Sequence, residues 1–136
     1  MKQMRKKTAI IFEAIEAVTN SDAQIADIEW LHLATEYISS PNNSIKREAS
    51  RIVGNISQRF PNNLENAIKK LLLNSKNQGT VVRWSSAYAL SKIIVIPQYA
   101  HSELFDRLTE ICSQEDENGV KNQYVKALKK ASKAKL

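Results

Sequence analysis

Ile45-Lys46-Arg47-Glu48-Ala49-Ser50-Arg51-Ile52-Val53-Gly54-Asn55-Ile56 decides the fold, because its apolar letters return twice further along the chain. Val82-Arg83-Trp84-Ser85-Ser86-Ala87-Tyr88-Ala89-Leu90-Ser91-Lys92-Ile93 restates the pattern 37 residues on. Val120-Lys121-Asn122-Gln123-Tyr124-Val125-Lys126-Ala127-Leu128-Lys129-Lys130-Ala131 restates it after a further 38. At 100° per residue Ile45, Ala49, Ile52, Val53 and Ile56 fall within one apolar arc, the signature of a helix that buries one side. Self-similarity with a period of roughly 20–50 residues reads as a helical solenoid.

Between these helices, here called B, lie others of the same amphipathic kind. Trp30, Leu31, Ala34 and Ile38 share a face near 24–39; Leu64, Ala67, Ile68, Leu71 and Leu72 do so near 63–75; Leu104, Leu108, Ile111 and Cys112 do so near 102–114. Each repeat is therefore a helix pair, A then B. Pro61 and Pro97 stop the B helices, since proline cannot continue one. Ser40-Pro41-Asn42-Asn43-Ser44, Asn77-Gln78-Gly79-Thr80 and Glu117-Asn118-Gly119 supply turn and N-cap residues before the next B helix. Shifting two periods back aligns Ala14, Ile15 and Val18 with Ala89, Leu90 and Ile93. The chain thus reads as one all-α domain spanning 1–136, with a lone N-terminal capping helix at 4–19 and three A/B pairs at about 21–59, 60–97 and 98–136. That makes about seven helices.

Composition agrees. Only 3 Gly and 3 Pro occur in 136 residues, and Ala, Leu, Ile, Lys, Glu and Ser dominate. The length suits a single domain with a continuous core. The single cysteine, Cys112, permits no intrachain disulfide, so a reduced, cytoplasmic setting is the default expectation. Lys2, Arg5, Lys6 and Lys7 precede Ala9-Ile10-Ile11-Phe12, but Glu13 and Glu16 interrupt the apolar run before it can serve as a secretory signal. No stretch approaches the ~18 to 20 apolar residues of a membrane span, which implies a soluble chain with no membrane partner.

The formal charge is +6, and it alternates with the repeat: −4 over 21–40, +3 over 41–61, +2 over 79–99, −5 over 100–118 and +6 over 119–136.

The pattern Val82-Arg83 followed by Ala87, Ala89, Leu90 and Ile93 resembles the B helix of HEAT repeats, and the likeness covers nearly the whole chain. Glu48-Ala49-Ser50-Arg51-Ile52-Val53-Gly54-Asn55-Ile56 is also similar to the third helix of an armadillo repeat, with Arg51 where that family has an exposed Trp and with Asn55 retained. Lys92 and Lys130 stand where the next two repeats would carry the Asn. The resemblance implies a right-handed α–α superhelix whose B helices line the concave side.

Opposite the core arc of the first B helix lie Arg47, Arg51 and Gly54, with Asn55 at the edge. The equivalent positions are Trp84, Tyr88, Ser91 and Lys92, then Asn122, Lys126, Lys129 and Lys130, and in the first helix Ala9, Glu13, Glu16 and Ala17. The A helices carry acid outside, chiefly Asp27, Glu29, Glu36, Glu103, Asp106 and Glu110. Trp84 and Tyr88 are four apart and hence neighbours on one face. Between Arg47/Arg51 and Lys126/Lys129 they make an aromatic anchor with a cationic rim; the plainer alternative is that Trp84 packs on a neighbouring B helix. Lys126, Lys129, Lys130, Lys133 and Lys135 also read as a solvated helix end that complements its dipole.

No catalytic or metal constellation, and no cofactor motif, is legible. His101 and Cys112 share a helical face but stand roughly 16 Å apart along it at 1.5 Å per residue, too far for nucleophile and base; no phosphate-cradling Gly-rich loop or zinc spacing occurs. The expected function is a non-enzymatic module that binds a protein or peptide partner, acidic by preference, through Arg47, Arg51, Asn55, Trp84, Tyr88, Lys92, Lys126 and Lys129. The alternative is binding to the phosphate backbone of nucleic acid, since Arg83-Trp84 in a basic groove is similar in kind to HEAT-like DNA glycosylases. Those enzymes are longer and need an acid beside the aromatics, which the inner stripe lacks except at Glu13 and Glu16. Self-association through a solenoid end is a further expectation, because such ends expose core-like surface.

Overall fold

A computed structural model describes residues 2–134; Lys135 lies outside them. Among the described residues there are eight α-helices and no strand: α1 (Lys2–Ser21), α2 (Ile28–Tyr37), α3 (Asn43–Ile56), α4 (Glu65–Asn74), α5 (Thr80–Ile94), α6 (Pro97–Ala100), α7 (Glu103–Gln114) and α8 (Asn118–Ala134). None is long and apolar enough to cross a membrane. The expected B helices are α3, α5 and α8, and the A helices are α2, α4 and α7.

The count exceeds the expected seven because Pro97 does more than end α5. Ile96 is extended, and Pro97 at the first helical position restarts one short turn, α6. The helix expected near 24–39 is likewise divided. The Asp22 carboxylate accepts the Gln24 amide at 3.1 Å and that of Asp27 accepts the Glu29 amide at 3.0 Å, so two N-caps in close succession give a single 3-10 turn, Ala23–Ile25, followed by α2. Asn42 caps α3 through Ile45 N and Ser102 caps α7 through Leu104 N.

The long helices contact one another in series, α1 with α3, α3 with α5 and α5 with α8, while α2 packs on α3, α4 on α5 and α7 on α8. The core letters explain this. Ile45, Ala49, Ile52, Val53 and Ile56 of α3 are all buried, as are Leu31, Ala34 and Ile38 on and just after α2 and Leu64, Ala67 and Leu71 on and just before α4. One apolar cluster runs from Phe12 to Ala131.

Polar ties follow the sequence period. Arg59 Nη1 donates to Ala23 O across 36 residues, Asn74 Nδ2 to Ile38 O across 36, and the Tyr99 hydroxyl to Pro61 O across 38. A second set joins the turns before α5 and α8. Arg83 donates to Asn77 O and Gln78 O at 3.0 and 3.1 Å, and its Nε lies 3.1 Å from Glu115 Oε2; Glu115 also accepts the Glu117 amide.

Gly54 departs from its expected place. The sequence puts it on the open arc, yet it is buried where α3 crosses α5, and a Cβ there would stand 3.0 Å from Ala89 Cα. A helix flanked by two neighbours in a row has less open surface than a two-sided helical wheel allows.

Candidate functional site

Arg51, Asn55, Trp84 and Tyr88 do come together, on adjacent turns of α3 and α5, but much of their bonding capacity is spent within the protein. The Asn55 side-chain amide donates to Glu16 Oε2 at 2.9 Å, Thr19 Oγ1 at 3.0 Å and Glu16 O at 3.2 Å. Its oxygen accepts the Tyr88 hydroxyl at 2.5 Å. An amide has two hydrogens to give, so no donor remains for a partner's backbone carbonyl. Asn55 is a tie between α1, α3 and α5.

The arginines are neutralised in a similar way. Arg51 Nη2 lies 3.4 Å from Glu16 Oε1 and its Nη1 3.9 Å from Glu48 Oε1, while Arg47 Nε donates to Glu48 Oε1 at 2.9 Å. Both glutamates are buried. Two cations thus balance two anions, and this end of the face carries no net charge. Glu16, expected on the open stripe, is turned into the α1–α3 contact, and Glu48 escaped notice because its neighbours read as exposed. The available signal was Glu48 itself, one residue from Arg47 and three from Arg51.

The Arg51 guanidinium carbon lies 5.9 Å from the ring centroids of both Trp84 and Tyr88, within cation–π range. The two rings are stacked, 5.7 Å apart and 16° from parallel. Lys92 Nζ approaches the Tyr88 ring to 5.5 Å. Burial above all, then the Glu16 charge, pushes the Tyr88 hydroxyl pKa up, with Arg51 opposing, so it stays a proton donor to Asn55.

Beyond the aromatics an open cleft of about 460 Å³ separates α5 from α8, with Trp84, Tyr88 and Lys92 on one wall and Gln123, Lys126 and Lys130 on the other. Trp84 and Tyr88 are half-buried; Lys92, Lys126 and Lys130 are exposed. Ser91 Oγ donates to Gln123 O at 3.0 Å and fixes the floor. Lys129 and Asn122 do not reach the cleft. Residues 123, 126, 127 and 130 form the side of α8 turned toward α5, and 122 and 129 lie 100° further round. Arg83 is also absent, directed instead to Glu115.

Cys112 and His101 do not share a helix. Cys112 is buried, its thiol 3.8 Å from Lys121 O and its pKa pushed up by burial against the opposing charge of Lys121. His101 is exposed between α6 and α7, on neither helix. Among the described residues no group of three His, Cys, Asp or Glu side chains is placed to hold a metal ion. Comparison of the chain with family models, curated proteins and solved structures gives no match.

Proposed function

We propose that the chain is a HEAT-like helical-repeat module, a right-handed superhelix of A/B pairs, whose role is to bind a segment of a protein partner without catalysing a reaction. The helix-to-helix contacts in series and the hydrogen bonds one period apart support the architecture. The observation that carries the function is the cleft between α5 and α8, where two stacked, half-buried aromatics face exposed lysines. No ion pair neutralises Lys92, Lys126 or Lys130 among the described residues. Stacked rings give an apolar anchor, and three ammonium groups without an ion pair select carboxylates around it. The partner segment is therefore acidic with a hydrophobic residue, seated on α5 and α8; a cytoplasmic location belongs to the same reading.

Affinity capture from native extract, with and without nuclease, tests this. The expected result is a protein retained after nuclease by the natural chain and lost with Lys126→Glu plus Lys130→Glu, two exposed substitutions that leave the fold intact. Identical captured proteins for both chains, or capture abolished by nuclease, would overturn it, the latter in favour of nucleic acid.

A further inference from the structure

α1 repeats the core letters of the later B helices without the cover they receive. One period back, at an offset of 38, Ile11, Ala14 and Val18 stand where α3 has Ala49, Ile52 and Ile56. Those three are buried beneath α2 and its neighbours, whereas Ile11 is 57% exposed and Val18 42%. Ile10 and Met4 are more open still, at 65% and 71%. α1 packs on α3 and on the Ala23–Ile25 turn, leaving Met4, Ile10, Ile11, Ala14, Ala17 and Val18 as a stripe along its far side, with the exposed Lys7 among them, three residues from Met4 and four from Ile11. Their spacing of three, four and seven is that of a helix–helix seam.

The charges around the stripe indicate what covers it. Arg5, Lys6 and Lys7 occupy the first half of α1, with no acid in its first turn, and the exposed acids Glu13 and Asp22 come later. This order opposes the helix dipole, which favours anions at the start and cations at the end. An antiparallel second copy corrects both ends, because each basic half then lies beside the acidic end of the other helix. Lys6 and Glu13, seven residues apart, sit on the same border of the stripe, and two-fold antiparallel packing joins like borders. An anionic surface would attract Lys6 but repel Glu13 and Asp22.

We infer that α1 is a self-association helix: two copies of the chain pair antiparallel through this stripe, about a two-fold axis level with Ile10. Lys6 of each meets the partner's Glu13. A single helix pair buries less than the ~1,600 Å² of a standard interface, so the dimer is weak and concentration-dependent. The surface is separate from the cleft between α5 and α8 and does not depend on it.

Sedimentation equilibrium of the full chain from about 1 to 200 µM tests the proposal. The expected result is reversible dimerisation, abolished by Ile11→Glu, a substitution at an exposed position whose helical circular dichroism and melting temperature should match those of the natural chain. Lys6→Glu and Glu13→Lys should each weaken the dimer about three- to thirty-fold, since each reverses two symmetric exposed pairs, and the double exchange should restore it. A monomer throughout the range overturns the inference. So does a dimer that survives Ile11→Glu, or single exchanges not rescued by the double. A monomer that binds phosphatidylcholine/phosphatidylserine vesicles through Ile11 overturns it in favour of a membrane surface.

Discussion

Gly54→Ala sets two magnitudes of opposite sign against each other. In an exposed helix interior, alanine is better than glycine by about 1 kcal/mol, and the substitution would stabilise the protein by that amount. In the structure the new Cβ would stand 3.0 Å from Ala89 Cα and 3.0 Å from Tyr88 Cε1, whereas ordinary contact begins at 3.4 Å. Relief requires a movement of some 0.4 Å at both places. Neither neighbour yields readily. Ala89 Cα is backbone in the middle of α5, in the most extensive helix–helix contact of the fold. The Tyr88 ring is held by its hydroxyl on Asn55 and by its stack on Trp84. Overpacking of this kind costs ~1–3 kcal/mol, so after the propensity gain the net effect is a loss of about 1 kcal/mol.

Urea denaturation followed by far-ultraviolet circular dichroism reads this directly, as a lower midpoint at unchanged slope. Gly54→Val adds volume and loses the propensity gain, and should cost more than ~2 kcal/mol. A Gly54→Ala chain more stable than the natural one by about 1 kcal/mol would falsify the close crossing of α3 and α5 and return Gly54 to the open surface.

Asn55→Ala should cost ~2–3 kcal/mol in the same assay, because it strips partners from Glu16, Thr19 and Tyr88 at once, and a loss below about 0.5 would mean that solvent replaces them freely. Arg83→Met should cost ~2–4 kcal/mol by leaving Glu115 buried and unpaired; an unchanged midpoint would show that this clamp is not formed. Tyr124 is buried with no hydrogen-bond partner for its hydroxyl, and burial first, then Glu115 and Cys112, pushes its pKa up. Tyr124→Phe should therefore be neutral or slightly stabilising at pH 7. Below about pH 10 both folded and unfolded forms keep the proton; above it the unfolded chain loses its proton first, so stability falls by up to ~1.4 kcal/mol per pH unit. Tyr124→Phe removes that share of the alkaline loss, Tyr88 and Tyr99 keeping theirs, and an identical pH profile for both chains would contradict the burial.

The helices were legible because burial repeats. Ile45, Ala49, Ile52, Val53 and Ile56 announce their face by period alone, and Pro61, Pro97 and Asn42 announce the breaks. What escaped was which residues make the second contact of each long helix. Gly54 and Glu16 read as open by angular position and Asn55 as an edge residue, yet they lie where one long helix meets the next, and a helical wheel drawn for one helix has no term for a neighbour beside it. The α6 turn escaped because proline both stops and starts helices, and only the backbone on either side tells which. Trp84, Tyr88, Lys92 and Lys126 were legible as a cluster. Lys130 replaces Lys129 because a cleft between two helices selects the sides turned toward each other.

The same neighbours engage part of the charge. From the sequence, Arg47 and Arg51 share the cationic rim with Lys92, Lys126 and Lys129, and a partner's carboxylates should meet all five. Their pairing with the buried Glu16 and Glu48 leaves Lys92, on the next long helix, and Lys126 and Lys130, on the one after it, as cations without an ion pair among the described residues. The two distributions predict different mutational responses. With charge at Arg47, Arg47→Ala should weaken binding as much as Lys126→Ala does. With charge at the cleft, Arg47→Ala removes a guanidinium already engaged by Glu48 and should change affinity less than about three-fold, while Lys126→Glu introduces repulsion into the rim and should weaken it about ten-fold, or ~1.4 kcal/mol. Titration of the captured partner with the two variants decides between them, and a larger loss with Arg47→Ala would put the binding surface back on α3.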